Sequence, residues 1–252
     1  MRLKDKNAII TAASHGIGRA IALAFASEGA NLVVTFNSDE AAARELVNQL
    51  QAKGARAHAE QLDGANVACA GALVERAERF LGSIDILVNN IGVTTRTPFM
   101  DVTADEYTYV LDVNLKFPFF LLQRVARHMA SREIRGSVIN VSSISAYKAI
   151  SKMAHYQCSK AGLSMLTKST AYELAPLGIR VNTLSPGLTA TQGNRNQWED
   201  HPALWKERGK DIPLGRTGLP TDHASAAVFL ASEEASWLTG CDLVIDGGES
   251  TI

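Results

Sequence analysis

Seven short, β-rich apolar runs recur along the chain, and most are separated by longer segments with helical spacing. The runs are NAIIT (7–11), NLVVTF (31–36), ARAHAEQL (55–62), IDILVNN (84–90), GSVINVSS (136–143), IRVNTLS (179–185) and CDLVID (241–246). Between them, Ile17, Ala20, Ile21, Ala24 and Phe25 share one helical face, as do Leu46, Val47 and Leu50, and Leu73, Val74, Ala77, Phe80 and Leu81. Most runs lack polar/apolar alternation, which marks strands covered on both faces. Strand then helix, repeated along the whole chain, predicts an α/β fold: a doubly wound parallel sheet of about seven strands with helices on both sides.

A chain of 252 residues can bury a full core, and no Pro- or Ser-rich linker, repeat or low-complexity stretch divides it. One domain over 1–252 is expected. The rhythm breaks only at 190–220, a polar stretch with two Trp. Excursions of that length in a compact domain are usually lids or substrate loops. The formal net charge of −1 gives no long-range pull on nucleic acid or anionic membrane. No run approaches the roughly 20 apolar residues of a bilayer span, and MRLKDKNAII holds no apolar signal core. Cys69, Cys158 and Cys241 match neither a metal spacing nor a disulfide framework. A cytoplasmic protein is expected, with no metal and no nucleic-acid or membrane partner.

In an open parallel sheet, ligands bind at the carboxyl ends of the strands. TAASHGIG (11–18) ends the first run and opens the first helical segment. Free N–H groups and the positive end of a helix dipole there suit a pyrophosphate. Gly16 and Gly18 allow close approach, although the spacing is not G-x-G-x-x-G and on its own also fits a plain tight turn. Tyr156 and Lys160, four apart in HYQCSKAGL, share a helix face. A tyrosine hydroxyl titrates near 10. A neighbouring ammonium favours the phenolate and lowers that value, which suits general acid/base work. Ser143 ends the fifth run, at the same carboxyl edge, where a hydroxyl can hold a substrate oxygen.

With these residues in view, the chain resembles the short-chain dehydrogenase/reductase family, whose sheet is of the Rossmann type. TAASHGIG is similar to the family's T-G-x-x-x-G-x-G turn, with Ala12 in place of the first glycine. NNIG (89–92) resembles N-N-A-G, with Ile91 in place of alanine. NVSS leading to Ser143, then YQCSK (156–160), matches the serine and the Y-x-x-x-K. Asn114 in LDVNL sits where the family has an active-site asparagine. SPGLTAT (185–191) matches the stretch at the nicotinamide end, and TGCDLVIDGG (239–248) matches the family's ending.

The resemblance implies hydride transfer between a nicotinamide cofactor and an alcohol or carbonyl carbon. It implies that Tyr156 passes the proton, that Lys160 lowers its pKa and holds the nicotinamide ribose, and that Ser143 orients the substrate oxygen. Asn114 would support a water-linked proton path. The implied cofactor set is Ala12, Ser14, His15, Gly16, Ile17 and Gly18 in the turn, with Phe36, Asn37 and Ser38 after the second strand. Asp63 would face the adenine, and Asn90, Ile91 and Gly92 would follow the fourth strand. Pro186, Gly187, Leu188, Thr189 and Thr191 complete it, with the Leu188 main chain and both threonine hydroxyls holding carboxamide and pyrophosphate.

NAD enzymes of this architecture place an acidic residue on the ribose 2′-OH, and that slot falls on Phe36, followed by Asn37 and Ser38. Asp39 and Glu40 read as the opening of the next helix. His15 stands where NADP-preferring relatives often carry a basic residue. NADP(H) is therefore expected ahead of NAD(H), which stays open. In 190–216, Asn194, Arg195, Asn196, Gln197, Trp198, His201 and Trp205 suit a sugar, polyol or other small polar substrate. Similarity to bacterial glucose and rhamnose 1-dehydrogenases leans the same way. It overlaps with 3-oxoacyl-carrier-protein reductases, which leaves a ketoreductase as the alternative and a non-catalytic nucleotide sensor as a remote one. His155 reads as structural, because adjacent helix positions do not share a face. By analogy the family implies a homotetramer built through helices at about 112–131 and 154–175 and the C-terminal strand region.

Overall fold

The computed structural model describes residues 1–251. Every apolar run becomes a strand: β1 (Asn7–Ile10), β2 (Asn31–Phe36), β3 (Ala57–Gln61), β4 (Ile86–Asn89), β5 (Ser137–Val141), β6 (Arg180–Pro186) and β7 (Asp242–Ile245). They pair in the order β3-β2-β1-β4-β5-β6-β7, and every neighbouring pair is parallel. The helices are α1 (Gly16–Ser27), α2 (Glu40–Ala52), α3 (Cys69–Leu81), α4 (Ala104–Leu111), α5 (Phe117–Ser131), α6 (Ala154–Leu174), α7 (Arg195–Trp198), α8 (Pro202–Lys210) and α9 (Pro220–Ala231).

Alternate strand residues serve two cores. Ala8, Ile10, Leu32, Val34, Ile86, Val88, Ile139 and Val141 pack with Ile21 and Phe25 of α1, Leu46 and Leu50 of α2, and Val228 and Leu230 of α9. Ile9, Val33, Leu87, Val138 and Val181 face the other way, onto Leu73 of α3 and Phe117, Leu121 and Val125 of α5. Side chains alternate along a strand, so burial on both faces is what produced uninterrupted apolar runs. Each fully buried Leu, Ile or Phe contributes about 1.5–3 kcal/mol.

Two segments differ from expectation. The helix expected over about 112–131 is part of a longer rod in which a π-helical turn, Asp112–Lys116, joins α4 to α5. Pro118 lies in the first turn of α5 and has no N–H to continue an α-helical ladder. Single π turns of this kind recur at functional sites, and this one holds Asn114. The stretch 190–220 is not an open loop. It contains α7 and α8, with Trp205 buried at 9% exposure. Among the described residues no helix is long and apolar enough to cross a membrane.

The strand order reverses between β1 and β4. There the loops leaving the two strands diverge and open a crevice at the carboxyl edge.

Candidate active site

Ser143 follows β5, and Tyr156 and Lys160 lie at the start of α6. The Ser143 hydroxyl faces the Tyr156 side chain, where it favours the phenolate, and its oxygen accepts the Ser145 N–H at 3.1 Å. Lys160 is 4% exposed. Its Nζ donates to the Val141 carbonyl at 2.9 Å and sits 5.8 Å from the centroid of the Tyr156 ring. Burial pulls the Lys160 ammonium down to about 8. Burial also holds Tyr156 above its ordinary value, against the opposing influence of Ser143. The expected downward pull of Lys160 does not offset that burial in the resting site. The ammonium lies by the ring and points at a carbonyl, so desolvation of the phenolate dominates.

Asn114 completes the cluster. From the π turn its Oδ1 accepts the Val93 N–H at 2.8 Å, while Nδ2 donates to the Val93 carbonyl at 2.9 Å and to Ser159 Oγ at 3.0 Å. The side chain fixes the chain leaving β4 and ties it to α6. Gly92 stands between the two catalytic elements. A Cβ there would lie 3.3 Å from Lys160 Nζ and 3.5 Å from Asn114 Oδ1.

The turn after β1 has the geometry expected of a phosphate cradle. Ala12, in the glycine slot, keeps a glycine-like φ of 51°, a left-handed conformation costing about 1–2 kcal/mol in an L-residue. It is over-determined by its surroundings: the Ala12 N–H donates to Thr35 Oγ1 at 3.0 Å, and its carbonyl accepts Asn90 Nδ2 at 3.0 Å. Gly18 has to lack a side chain, because a Cβ would sit 2.4 Å from Asn90 Nδ2. Gly16 leaves room up to Thr191, 3.5 Å from its hypothetical Cβ. Asp39 and Thr103 cap α2 and α4 through their side chains, whereas His15 makes no such bond to α1 and no acid lies in the α1 first turn. Ser14 and Ile17 are half-buried beside it. A bare N-terminus behind a glycine-lined turn fits a pyrophosphate.

Ile91, in an alanine slot, reaches across to Gly64. A Cβ on Gly64 would fall 2.3 Å from Ile91 Cδ1. The missing side chain at 64 makes space for the larger one at 91.

At the second strand Asp39 opens the next helix, as expected, and its carboxylate also meets His15. Phe36 is buried at 7% exposure, while Asn37 and Ser38 are exposed. A carboxylate does stand close by. Asp39 caps α2 by accepting the Ala42 N–H at 3.0 Å, and its other oxygen lies 2.8 Å from His15 Nε2. These two contacts hold Asp39 below the usual carboxylate range. Asp63 turns to its own loop, accepting the Ala65 N–H at 2.9 Å.

Pro186 ends β6 and Gly187 packs on Asp246, whose Cβ would lie 2.5 Å from a Cβ at 187. The Leu188 main chain is not free to take a carboxamide. Its N–H donates to Glu249 Oε2 at 2.7 Å and its carbonyl accepts the Gly218 N–H at 2.8 Å. The Thr189 hydroxyl is also committed, donating to Gly187 O at 2.9 Å and lying 2.9 Å from His223 Nε2. His223 is buried, which lowers it to about 4, so it is neutral and donates from Nε2.

In the 190–220 segment, Asn194 Oδ1 accepts the Thr191 N–H at 2.8 Å, Trp198 Nε1 donates to Thr191 O at 2.9 Å, and Arg208 donates to Gln197 at 2.9 Å. Arg195 pairs with Glu199. Most polar groups expected to face a substrate therefore brace the segment itself.

Residues missed in the sequence include Thr11, whose hydroxyl accepts the N–H groups of Asn90 and Ile91 at 3.0 Å each, and Ser159. Thr11 opens the quoted turn, so its position was visible. Glu249 carried no local signal, because its partner is 61 residues away.

A family model described as enoyl-(acyl carrier protein) reductase matches residues 11–250. L-rhamnose 1-dehydrogenase (NAD(P)(+)) of Azotobacter vinelandii is 40% identical, over 98% of this chain and 98% of that one. 3beta-hydroxysteroid dehydrogenase 1 of Eggerthella lenta is 39% identical, over 98% of this chain and 94% of that protein. Among solved structures, a short-chain type dehydrogenase/reductase from Mycobacterium marinum superposes with a TM-score of 0.91 at 34% identity, covering 98% of this chain and 96% of that one.

Proposed function

This chain belongs to the short-chain dehydrogenase/reductase family, and from that premise we propose that it is an NADP(H)-preferring dehydrogenase of a sugar, polyol or other small polar alcohol. As a member of the family it interconverts an alcohol and a carbonyl by hydride transfer. When bound, the nicotinamide supplies the hydride acceptor or donor. The chain's own residues handle the proton and the geometry. Ser143 Oγ holds the substrate oxygen against Tyr156 Oη, which takes the hydroxyl proton in oxidation and returns it in reduction. Lys160, charged below about 8, stabilises the phenolate as it forms. Asn114 holds the chain at Val93 so that Gly92 lies flat against Lys160. The turn from Ala12 to Gly18 holds the pyrophosphate, with Thr191 across from Gly16.

One observation carries the reaction class: Ser143 facing Tyr156, with buried Lys160 5.8 Å from the Tyr156 ring centroid. The substrate class rests on the 40% identity to a rhamnose dehydrogenase. A second reading has its own support. Phe99 and Met100, just beyond the segment leaving β4, are 79% and 94% exposed, and the 39% identical relative is named for steroid oxidation. An alcohol with an apolar body is therefore the competing substrate.

The cofactor preference is supported by Asn37 and Ser38 at the edge of the site and by His15 beside them. His15 also carries Asp39, so the preference is for a 2′-phosphate without excluding NAD. An absorbance screen of aldoses, polyols, hydroxysteroids and acyl thioesters, each with NADP and NAD, tests these assignments. The expected result is turnover of an aldose, with kcat/KM at least about fivefold higher for NADP, a difference of about 1 kcal/mol. Best turnover of a steroid, or a tenfold preference for NAD, overturns the corresponding part.

We assign the assembly as a homotetramer of a cytoplasmic enzyme; the three free thiols suit a reducing compartment. Tyr107, Tyr109, Phe119, Phe120, Met165 and Tyr172 leave α4, α5 and α6 with exposed apolar side chains, and β7 is an edge strand, which proteins usually cover. Light scattering is expected to return the mass of four chains; a monomer or dimer mass overturns the assignment.

A further inference from the structure

Between β4 and α4 the chain is tied down twice beside the active site. The first tie is the Asn114 clamp on Val93. The second has no part in the chemistry described above. The Thr97 N–H donates to the Lys152 carbonyl at 3.0 Å. Thr95 Oγ1 lies 2.5 Å from His155 Nε2, and Thr97 Oγ1 donates to Glu106 Oε1 at 2.6 Å. Thr95 also helps hold the Glu106 carboxylate below the usual carboxylate range, and Glu106 Oε1 is 3.7 Å from His155 Nε2.

The direction of these bonds follows from the groups. A carboxylate only accepts, and Glu106 faces His155 Nε2, so the arrangement that fits it has Nε2 as the N–H donor and the Thr95 hydroxyl as the acceptor. His155 therefore carries its proton on Nε2. Its Nδ1 is buried and has no hydrogen-bond partner among the described residues, at a residue 2% exposed. Burying an unpaired ring nitrogen costs stability, as does the left-handed φ of 64° at Lys152. Both costs fall in one small cluster adjoining Tyr156. A buried leucine would have avoided the first, so the imidazole is kept for what its N–H does.

We propose that His155 is a positioning residue: through Thr95 and Glu106 it pins the 93–97 segment to the start of the helix that carries Tyr156, and so sets the wall against which the substrate is held. Asn114 fixes the end of that segment next to Lys160 and His155 fixes its middle, leaving it no freedom to retreat from Tyr156 and Ser143. The cofactor turn lies on the other side of β4 and takes no part. The consequence is selective: loosening this tie weakens the grip on the substrate and leaves the cofactor site intact. The proposal rests on Tyr156 and Ser143 being the reacting edge, but not on the substrate being a sugar.

The test compares His155→Leu, His155→Gln and Thr95→Val, using whichever alcohol or carbonyl the unaltered enzyme turns over best. His155→Leu and Thr95→Val are expected to raise substrate KM about tenfold, as for loss of one hydrogen bond to a neutral or charged partner. The NADPH Kd, read by fluorescence titration, stays within about twofold for both. Gln keeps an N–H donor at the place of Nε2, so His155→Gln restores KM to within about threefold of the original. The double variant is expected to be no worse than the weaker single, since both remove one link. Hydrogen exchange supplies a readout independent of activity: the Thr97 amide exchanges about tenfold faster in Thr95→Val while the amides of β1 and β5 do not change. Unchanged KM and exchange in Thr95→Val overturn the proposal, as does a Gln variant as impaired as Leu, or a parallel loss of NADPH binding. If His155→Leu does not fold, Thr95→Val carries the test. If no substrate turns over, the exchange measurement still decides this proposal, and only the functional reading fails.

Discussion

Tyr156→Phe lowers kcat by at least about 1000-fold and leaves NADPH binding within about twofold. General acid/base catalysis contributes typically about 10²–10⁴ in rate, and here one hydroxyl supplies it. Among the described residues no other titratable side chain faces Ser143 Oγ. The phenylalanine ring keeps its place over Lys160, which stands 5.8 Å from the ring centroid. Only the hydroxyl's contact with Ser143 is lost, so stability changes by about 1 kcal/mol or less. That separation between chemistry and folding makes the variant informative. Single-turnover kinetics with a fluorescence titration of NADPH measures both sides. Retention of more than a tenth of kcat, or loss of NADPH binding together with activity, would show that Tyr156 is not the proton-transfer group.

Lys160→Met inactivates the enzyme and makes it more stable at neutral pH. Lys160 is almost fully buried, and burial lowers its ammonium from 10.5 to about 8. The sign follows from linkage. Between about 8 and 10.5 the unfolded chain holds this proton and the folded chain does not, so stability attributable to Lys160 rises with pH across that window. Below about 8 both states are protonated, and the folded state carries the full cost of a buried charge, about 3 kcal/mol. Methionine has a similar length and no charge. It removes that cost and forfeits the bond to the Val141 carbonyl, which contributes about 1 kcal/mol. The expected gain at pH 7 is therefore about 2 kcal/mol. It shrinks above about pH 8 and is gone near 10.5, where the lysine is neutral when folded. Denaturant titrations of both proteins at several pH values measure the difference. A variant less stable than the parent at pH 7, or a gap that does not close with rising pH, refutes this account. In the proposed mechanism the charge is kept despite its cost because it is needed when Tyr156 loses its proton.

Much of this site was legible because its parts are local. The glycines of the cofactor turn, the four-residue spacing of Tyr156 and Lys160, and Ser143 at a strand end each carry their geometry in a few consecutive residues. Asn114 was found by likeness, but the π turn that aims it was not, because a lone proline in a helix start gives no such warning. The 190–220 segment shows the opposite error. Asn194, Gln197 and Trp198 read as ligand-facing from polarity alone, yet their partners are Thr191 and Arg208. Polarity in a sequence does not tell whether a group will be met by substrate or by its own loop.

Periodicity and turn chemistry are properties of short windows, and by themselves they determined the seven strands, the parallel sheet and the edge at which chemistry occurs. The tertiary structure alone decided which side chains are already spoken for. Asp39 meets His15, Glu249 takes the Leu188 N–H, and His155 binds Thr95, each across a separation of 24, 61 and 60 residues respectively. It also decided the charge states at Tyr156 and Lys160, because desolvation depends on everything packed around a group, and no window of sequence contains that surrounding.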